Sequence, residues 1–268
     1  MRSSGSARGD LLLLGGIVLV LVLATFLPPD TSLAEMKRGG VVRACVPVSY
    51  PPLVTGDPSR PGIEVELLQA VAEEIGVRLS LNRITAMGRD FNPRNWRITR
   101  AQCQIIAGGV VASPSTRTYL ETTSSYLSTG WALLAPVGFE TLEGATVGFY
   151  SGTSGLDRIA LSRYLRERGV RPVTVSTVGE LVSGLHDGSF DAAVSEALLV
   201  RQLAGDYGWT AHWLPEELGR YPLALGLWKG DLTLKRAVES VLATMRTSGE
   251  LAAVLRRYEL APIAALSH

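Results

Sequence analysis

The chain has 268 residues, of which 46% are hydrophobic and 19% charged, and its formal net charge is +1. That is enough for a substantial core, in one large domain or in two lobes. A near-neutral chain with no basic run in its mature part is not expected to bind nucleic acid, and its scattered Gly and Pro form no repeat or low-complexity tract.

Leu11 to Leu27 is an apolar run with Arg2 and Arg8 ahead of it. It is short for a spanning helix and has the make-up of a signal h-region. Ser32-Leu33-Ala34 is a small-x-small site, so residues 1–34 read as a signal peptide cut after Ala34, with an uncleaved membrane anchor as the competing reading. Both place the folded part outside the cytoplasmic membrane. No cysteine follows this run closely, which argues against lipid attachment. Cys45 and Cys103 make an even pair: in an oxidising compartment a disulfide, or else two buried thiols packed as small hydrophobes.

Val41 to Val48 is β-rich and ends in the turn Ser49-Tyr-Pro-Pro52. Glu66 to Ile75 puts Leu67, Val71 and Ile75 on one helical face, and Gly76 stops it. Val77 to Leu81 reads as a second strand, which makes a β-α-β unit and a parallel sheet. Met87 to Gln102 is polar, with Phe91 and Trp96 as core aromatics, and is expected to turn helical before Cys103. The strand Ile105-Ile-Ala-Gly-Gly109 leads into a Ser/Pro/Thr turn before Arg117.

Gly130 to Pro136 is a strand that ends at a natural crossing point. A second α/β unit starts at Ala145-Thr-Val-Gly-Phe-Tyr150, followed by Ser151 to Gly155 and a helix with Leu156, Ile159 and Ala160 inward. Val173 to Ser176 is a strand, Val178, Leu181, Val182 and Leu185 mark a helix face, and Ala192 to Val194 is the next strand. Leu223 to Leu227 reads as a return strand. Two helices follow, one with Leu234, Val238, Leu242 and Met245 on a face, the other from Glu250 to Tyr258. Two parallel-type sheets joined by a crossing near Pro136 and a return near Leu223 predict an α/β protein of two lobes with a cleft between them.

Two charged residues each follow a short strand: Arg117 and Glu196. A guanidinium can fork onto a carboxylate, and a carboxylate can hold an ammonium, so together in one cleft they would suit a zwitterion such as an amino acid. The plainer alternatives are a solvated surface arginine and an acid that stabilises the start of the helix Ala197 to Leu203. Gly152-Thr-Ser154 lacks the lysine of a nucleotide-binding loop. His186, His212 and His268 have no metal spacing, no nucleophile elbow is present, and no cofactor or metal is expected.

In this order the segments resemble the family 3 extracellular solute-binding proteins, from about Gly40 to Tyr258. The likeness is carried by Ser49-Tyr-Pro-Pro52, Gly62-Ile-Glu-Val-Glu-Leu67, Ile105-Ile-Ala-Gly-Gly-Val110, and Arg117 with Thr122-Thr-Ser-Ser-Tyr126. Gly152-Thr-Ser154, Asp191-Ala-Ala-Val-Ser-Glu196, Leu223 to Asp231 and Ser248-Gly-Glu-Leu251 complete it. The resemblance implies a two-lobed type II periplasmic binding protein fold, with lobe one at 38–135 and 223–268 and lobe two at 136–222. It also implies an exported, periplasmic, monomeric receptor that closes on a small polar ligand, an amino acid, and delivers it to an ABC transporter permease.

By the same resemblance, Arg117 grips the ligand carboxylate, with backbone groups of Gly109 and Val111 and the hydroxyl of Ser113 nearby. Thr153 and Ser154 start a helix whose N–H groups favour an anion. Glu196 stands in the place of the aspartate that holds the ligand ammonium. Tyr50 packs on the ligand side chain and Tyr150 helps to select it. The fold also makes the strands of Cys45 and Cys103 neighbours, which favours the disulfide. Three departures stand out: a longer turn before Arg117, Glu for Asp at 196, and Pro47 where an acidic or polar residue is usual. Two rivals share the fold. A cyclohexadienyl dehydratase-like enzyme would use Glu196 as an acid, and the paired cysteines are similar to those of binding-protein-like companions of periplasmic quinoprotein dehydrogenases.

Overall fold

The computed structural model describes residues 9, 12–19, 30–85, 87, 93–151 and 155–260. Residues 1–31 and 32–268 form separate units. In the first, residues 12–19 are helical; no helix among the described residues is long and apolar enough to cross a membrane.

The second unit begins with helix α1 (Ser32–Gly39), β1 (Val41–Pro47), α2 (Ile63–Ile75) and β2 (Arg78–Ile84). A single-turn helix α3 (Pro93–Trp96), β3 (Ile105–Val111) and the short strands β4 (Leu120–Thr122) and β5 (Leu127–Thr129) follow. The next stretch holds β6 (Trp131–Ala135), β7 (Thr146–Phe149), α4 (Arg158–Glu167), β8 (Arg171–Thr174), α5 (Val178–His186) and β9 (Ala192–Glu196). The chain then runs through α6 (Ala197–Tyr207), β10 (Thr210–Trp213), β11 (Tyr221–Trp228), α7 (Leu232–Ser248) and α8 (Glu250–Arg257).

These strands make two sheets. The first has the order β2-β1-β3-β11-β4, with β5 also on β11; the second has the order β10-β6-β9-β7-β8. The β-α-β units are parallel, as the crossover helices require: β1 with β2 and β3, and β7 with β8 and β9. Both sheets are nonetheless mixed. β11 runs antiparallel to β3, β4 and β5, and β6 runs antiparallel to β9 and β10. The antiparallel strands are those that carry the chain between sheets, and a direct crossing needs no covering helix.

The change of sheet falls at Gly130 rather than near Pro136. β5 pairs within the first sheet, and after one residue β6 pairs within the second. Pro136 does end a strand, but that strand already belongs to the second sheet. The outgoing and returning segments lie against each other: a Cβ on Gly130 would sit 3.0 Å from the Gly219 carbonyl oxygen and 3.1 Å from the Trp213 ring.

Helical periodicity decides what each helix buries. Leu67, Leu68 and Val71 of α2 join Val238, Leu242 and Met245 of α7 and Leu251 and Val254 of α8 over Val42, Ala44, Ile105 and Ala107 of the first sheet. The helix α2 begins at Ile63, one turn earlier than its apolar spacing predicts. The start of α1 is tied to that of α7. Ser32 Oγ lies 3.0 Å from Thr233 Oγ1 and accepts from Leu234 N, while Met36 enters the core. The cut expected after Ala34 falls within α1.

On the opposite face of the first sheet Cys45 and Cys103 form a disulfide with Cα atoms 5.5 Å apart, as the β1–β3 pairing allows. Trp96, Ile98, Ile106 and Leu120 pack around it, and the Trp228 indole donates to the Cys103 carbonyl at 2.7 Å. Among the described residues of the stretch before Cys103, only Pro93–Trp96 is helical; Phe91 lies outside the described residues.

The second sheet is covered on both faces. Trp131, Val147, Leu161 and Leu165 fill one side, and Leu181, Leu185, Phe190, Leu199 and Leu203 the other. Ile159, expected inward, is 77% exposed. The Asp157 carboxylate caps α4 by accepting from Ile159 N and Ala160 N, both at 2.9 Å, and this fixes a register that buries Leu161 and Leu165 instead.

Candidate functional site

Glu196 closes β9 and is the N-cap of α6. Its Oε1 accepts from Leu198 N at 3.1 Å and its Oε2 from Leu199 N at 3.2 Å. The helix-capping alternative for this residue is therefore realised in the fold. The Thr129 hydroxyl donates to Oε1, and the buried Tyr50 phenol acts on the same carboxyl, favouring its ionised form. A carboxylate offers about four acceptor positions, and these two amides and the Thr129 hydroxyl take three of them. Thr129 and Tyr50 come from the first-sheet side and Glu196 from the second, which makes this carboxyl a bolt between the two.

A second buried carboxyl stands on the first-sheet side. Glu64, in the first turn of α2, accepts from the N–H groups of Gly108 and Gly109, the latter at 3.1 Å, and from the Tyr126 hydroxyl. Glu64 and Glu196 are both fully buried. Burial pushes each up to about 7, and the hydrogen bonds of their neighbours only partly pull them back. All of those neighbours are neutral groups. Tyr126 is pushed well above its ordinary value by burial first, then by Glu64, and also by Glu196 and Tyr50. The two carboxyls and two phenols thus share one buried polar cluster.

Tyr50 reaches this cluster because Gly109 lets it. A Cβ on Gly109 would sit 2.9 Å from Tyr50 Cε1, and its φ of +83° is one that side chains avoid. The Tyr50 turn is pinned by paired bonds to Val54, at 2.7 and 2.9 Å. Leu198, the second residue of α6, is buried in the first-sheet core beside Tyr50, Leu53 and Tyr126.

The remaining candidates are placed as follows. Arg117 is exposed, in a 3-10 turn at Thr116–Thr118, and among the described residues its side chain makes a long contact of 3.4 Å from Nε to Thr122 Oγ1. Ser113 Oγ accepts from Thr116 N at 3.1 Å and so holds the same turn. Val111 is buried and pairs with Leu223; its carbonyl accepts from Ser113 N. Tyr150 is partly buried at the end of β7, and its carbonyl accepts from the Ser195 hydroxyl at 2.8 Å. Thr153 and Ser154 lie outside the described residues. The structure brings Tyr50, Gly109 and Glu196 together, and leaves Arg117 on the surface.

Sequence reasoning passed over Glu64, Tyr126 and Thr129. A signal for Glu64 was present: it shares a helical face with Leu67, Leu68 and Val71, and an acid on an apolar face must find buried donors. Chemically, the cluster can hold a cation. Two carboxyls raised by burial ionise readily once an ammonium replaces a neutral hydroxyl beside them.

No curated protein sequence matches the chain. Among solved structures, an ancestral amino acid-binding protein described as a precursor of cyclohexadienyl dehydratase is similar, with a TM-score of 0.68 and 20% identity over 85% of this chain and 99% of that one. A mutant of ArgBP from T. maritima gives a TM-score of 0.65 with 20% identity, covering 85% of this chain and 98% of the other. An amino acid ABC transporter substrate-binding protein from Streptococcus pneumoniae, bound to L-arginine, gives 0.66 with 18% identity, covering 84% and 97%. At these identities the likeness establishes the fold, a two-lobed type II periplasmic binding protein fold. The family model for bacterial extracellular solute-binding proteins, family 3, matches residues 42–261, and the chain belongs to that family.

Proposed function

We propose that this protein is an exported, monomeric receptor that captures an amino acid between two closing lobes and presents it to the permease of an ABC importer in the periplasmic space. Lobe one carries the first sheet and lobe two the second. The chain crosses at Gly130 and returns between Trp213 and Tyr221. The observation that carries the reading is the hydrogen bond from Thr129, on the first-sheet side, to Glu196, on the second, which joins the two sides through a buried carboxyl. When the lobes part, the Thr129 hydroxyl and the Tyr50 ring draw away from Glu196. The ligand ammonium then takes the vacated acceptor position, and Arg117 takes the carboxylate. A ligand that contacts both lobes binds the closed form better and shifts the population toward it. The family, and the arginine bound in a structural neighbour, support this reading.

Titration calorimetry with the common L-amino acids and their deaminated analogues tests it. Glu196→Gln should weaken amino acids more than the analogues, because only the former lose a charge partner. Arg117→Ala should weaken both. Unchanged binding by Arg117→Ala would overturn the reading.

The raised Glu196 favours a second reading, an acid catalyst on the same fold, since a carboxyl near 7 can donate a proton at neutral pH. Incubation with prephenate or arogenate separates the two, because turnover abolished by Glu196→Gln would establish the enzyme.

A further inference from the structure

A cavity of about 300 Å³ opens on the second-sheet side, lined among others by Arg201 and Gly205 of α6, Trp209, Ala211 of β10, and Glu259 just after α8. Its helix residues lie five to nine positions beyond Glu196, which is up to about 13 Å along the helix axis, so it is not the seat at Glu196.

β10 is the outermost strand of its sheet. The register pairs Thr210 with Ala135 and Trp213 with Ala132, and Leu214 N donates to the Trp131 carbonyl at 3.0 Å. In an antiparallel ladder bonded pairs alternate. Residues 210, 212 and 214 are then the bonded ones, and the N–H and C=O of Ala211 turn outward, away from β6.

Three further features converge on that outward-facing edge. Arg201 supplies a guanidinium and Glu259 a carboxylate, and neither takes part in an ion pair among the described residues. Trp209 supplies an indole held by stacking on Tyr207, with centroids 4.9 Å apart. Gly205 keeps the space open, because a Cβ there would lie 3.3 Å from Glu259 Oε2.

A cation, an anion, a peptide edge and an aromatic face around a volume at the lower end of small-ligand sites match one class of molecule. We propose that this cavity is a second binding site, for a zwitterion of amino-acid or dipeptide size. Its carboxylate meets Arg201, its ammonium meets Glu259, its backbone polar groups meet Ala211, and an apolar side chain lies on Trp209. Arg201 rides on the second sheet, whereas Glu259 follows a helix packed on the first. On the two-lobe reading given above, an occupant therefore bridges the lobes and favours the closed form.

The test is calorimetry on the full chain at millimolar L-amino acids and glycyl dipeptides, with three variants. Wild type should show two sites for at least one of these probes. Arg201→Ala should weaken the second site about tenfold or more, and Gly205→Leu should fill it, while both keep the seat at Glu196. Glu196→Gln should do the reverse. Arg201 is partly exposed, so its variant remains informative even if Gly205→Leu misfolds. Binding that Arg201→Ala and Gly205→Leu both leave unchanged, whether at one site or two, overturns the second site and leaves the receptor reading intact. Binding abolished by these two variants but indifferent to Glu196→Gln keeps the second site and overturns the seat at Glu196.

Discussion

Glu64→Gln isolates the cost of burying a carboxyl with no cation beside it. In the unfolded chain this group ionises near 4.5, and in the folded protein near 7. Between those values the folded state keeps a proton that the unfolded state has released. Its contribution is therefore complete below the lower value and is lost as pH rises through the upper one. The full traverse corresponds to about 3 kcal/mol. Glu196 adds a loss of the same sign and similar size. Asp57, Glu121, Glu143 and Asp187 are held below their ordinary values, so they act in the opposite sense, at more acidic pH. Wild type should thus lose about 5 kcal/mol between about pH 5 and about pH 8, measured by urea unfolding. The glutamine amide oxygen can accept from Gly108 and Gly109, and its NH2 can donate to Tyr126. Glu64→Gln should therefore fold, keep about half of the pH-dependent loss, and exceed wild type at the alkaline end by about 2–3 kcal/mol. Wild-type stability that rises from pH 5 to pH 8, or a variant with the full wild-type slope, would refute the idea that Glu64 is buried in the folded state.

Other perturbations test separate parts of the structure. Glu196→Ala removes the cap of α6 and strands the Thr129 hydroxyl, so it should cost about 1–2 kcal/mol or more in thermal unfolding; an unchanged Tm would sink the capping role. Reducing Cys45–Cys103, which are 58 residues apart, should cost about 4 kcal/mol in urea unfolding by chain entropy, and two free thiols in exported protein would remove the bond altogether. Gly130→Ala drives a methyl against the Gly219 carbonyl and the Trp213 ring. It should destabilise by about 1–3 kcal/mol and shift the lobes apart in small-angle scattering; a variant with wild-type scattering and stability would show that the crossing has room to spare.

The elements with a strong period were legible before any coordinates. The buried face Leu234, Val238, Leu242 and Met245 stands in α7 as its spacing predicts, and the β-α-β start gives a parallel pair. The strands at Leu120–Thr122, Leu127–Thr129 and Thr210–Trp213 were not legible, because three or four residues carry too little alternation to stand out. The position of the crossing was misjudged for a related reason. Proline announces the end of a strand, but which sheet that strand joins depends on distant partners. Glu196 could be found from its place after a strand. That Tyr50 and Thr129 close over it depends on contacts between residues far apart in the chain, which no local pattern encodes.

β11 has a consequence for the order in which the protein can be made. It is flanked by β3 on one side and by β4 and β5 on the other, yet it is synthesised about a hundred residues after β3. A chain emerging N-terminus first displays β3 with a bare edge at Val110 and Val111 until Tyr221–Trp228 arrives. The second sheet, by contrast, is contiguous from Trp131 to Trp213 and can finish before the first has the strand that joins β3 to β4 and β5. The inserted half thus folds while the half that hosts it waits with an open seam, and a chain stalled before Tyr221 would expose an edge on which copies can pair and aggregate.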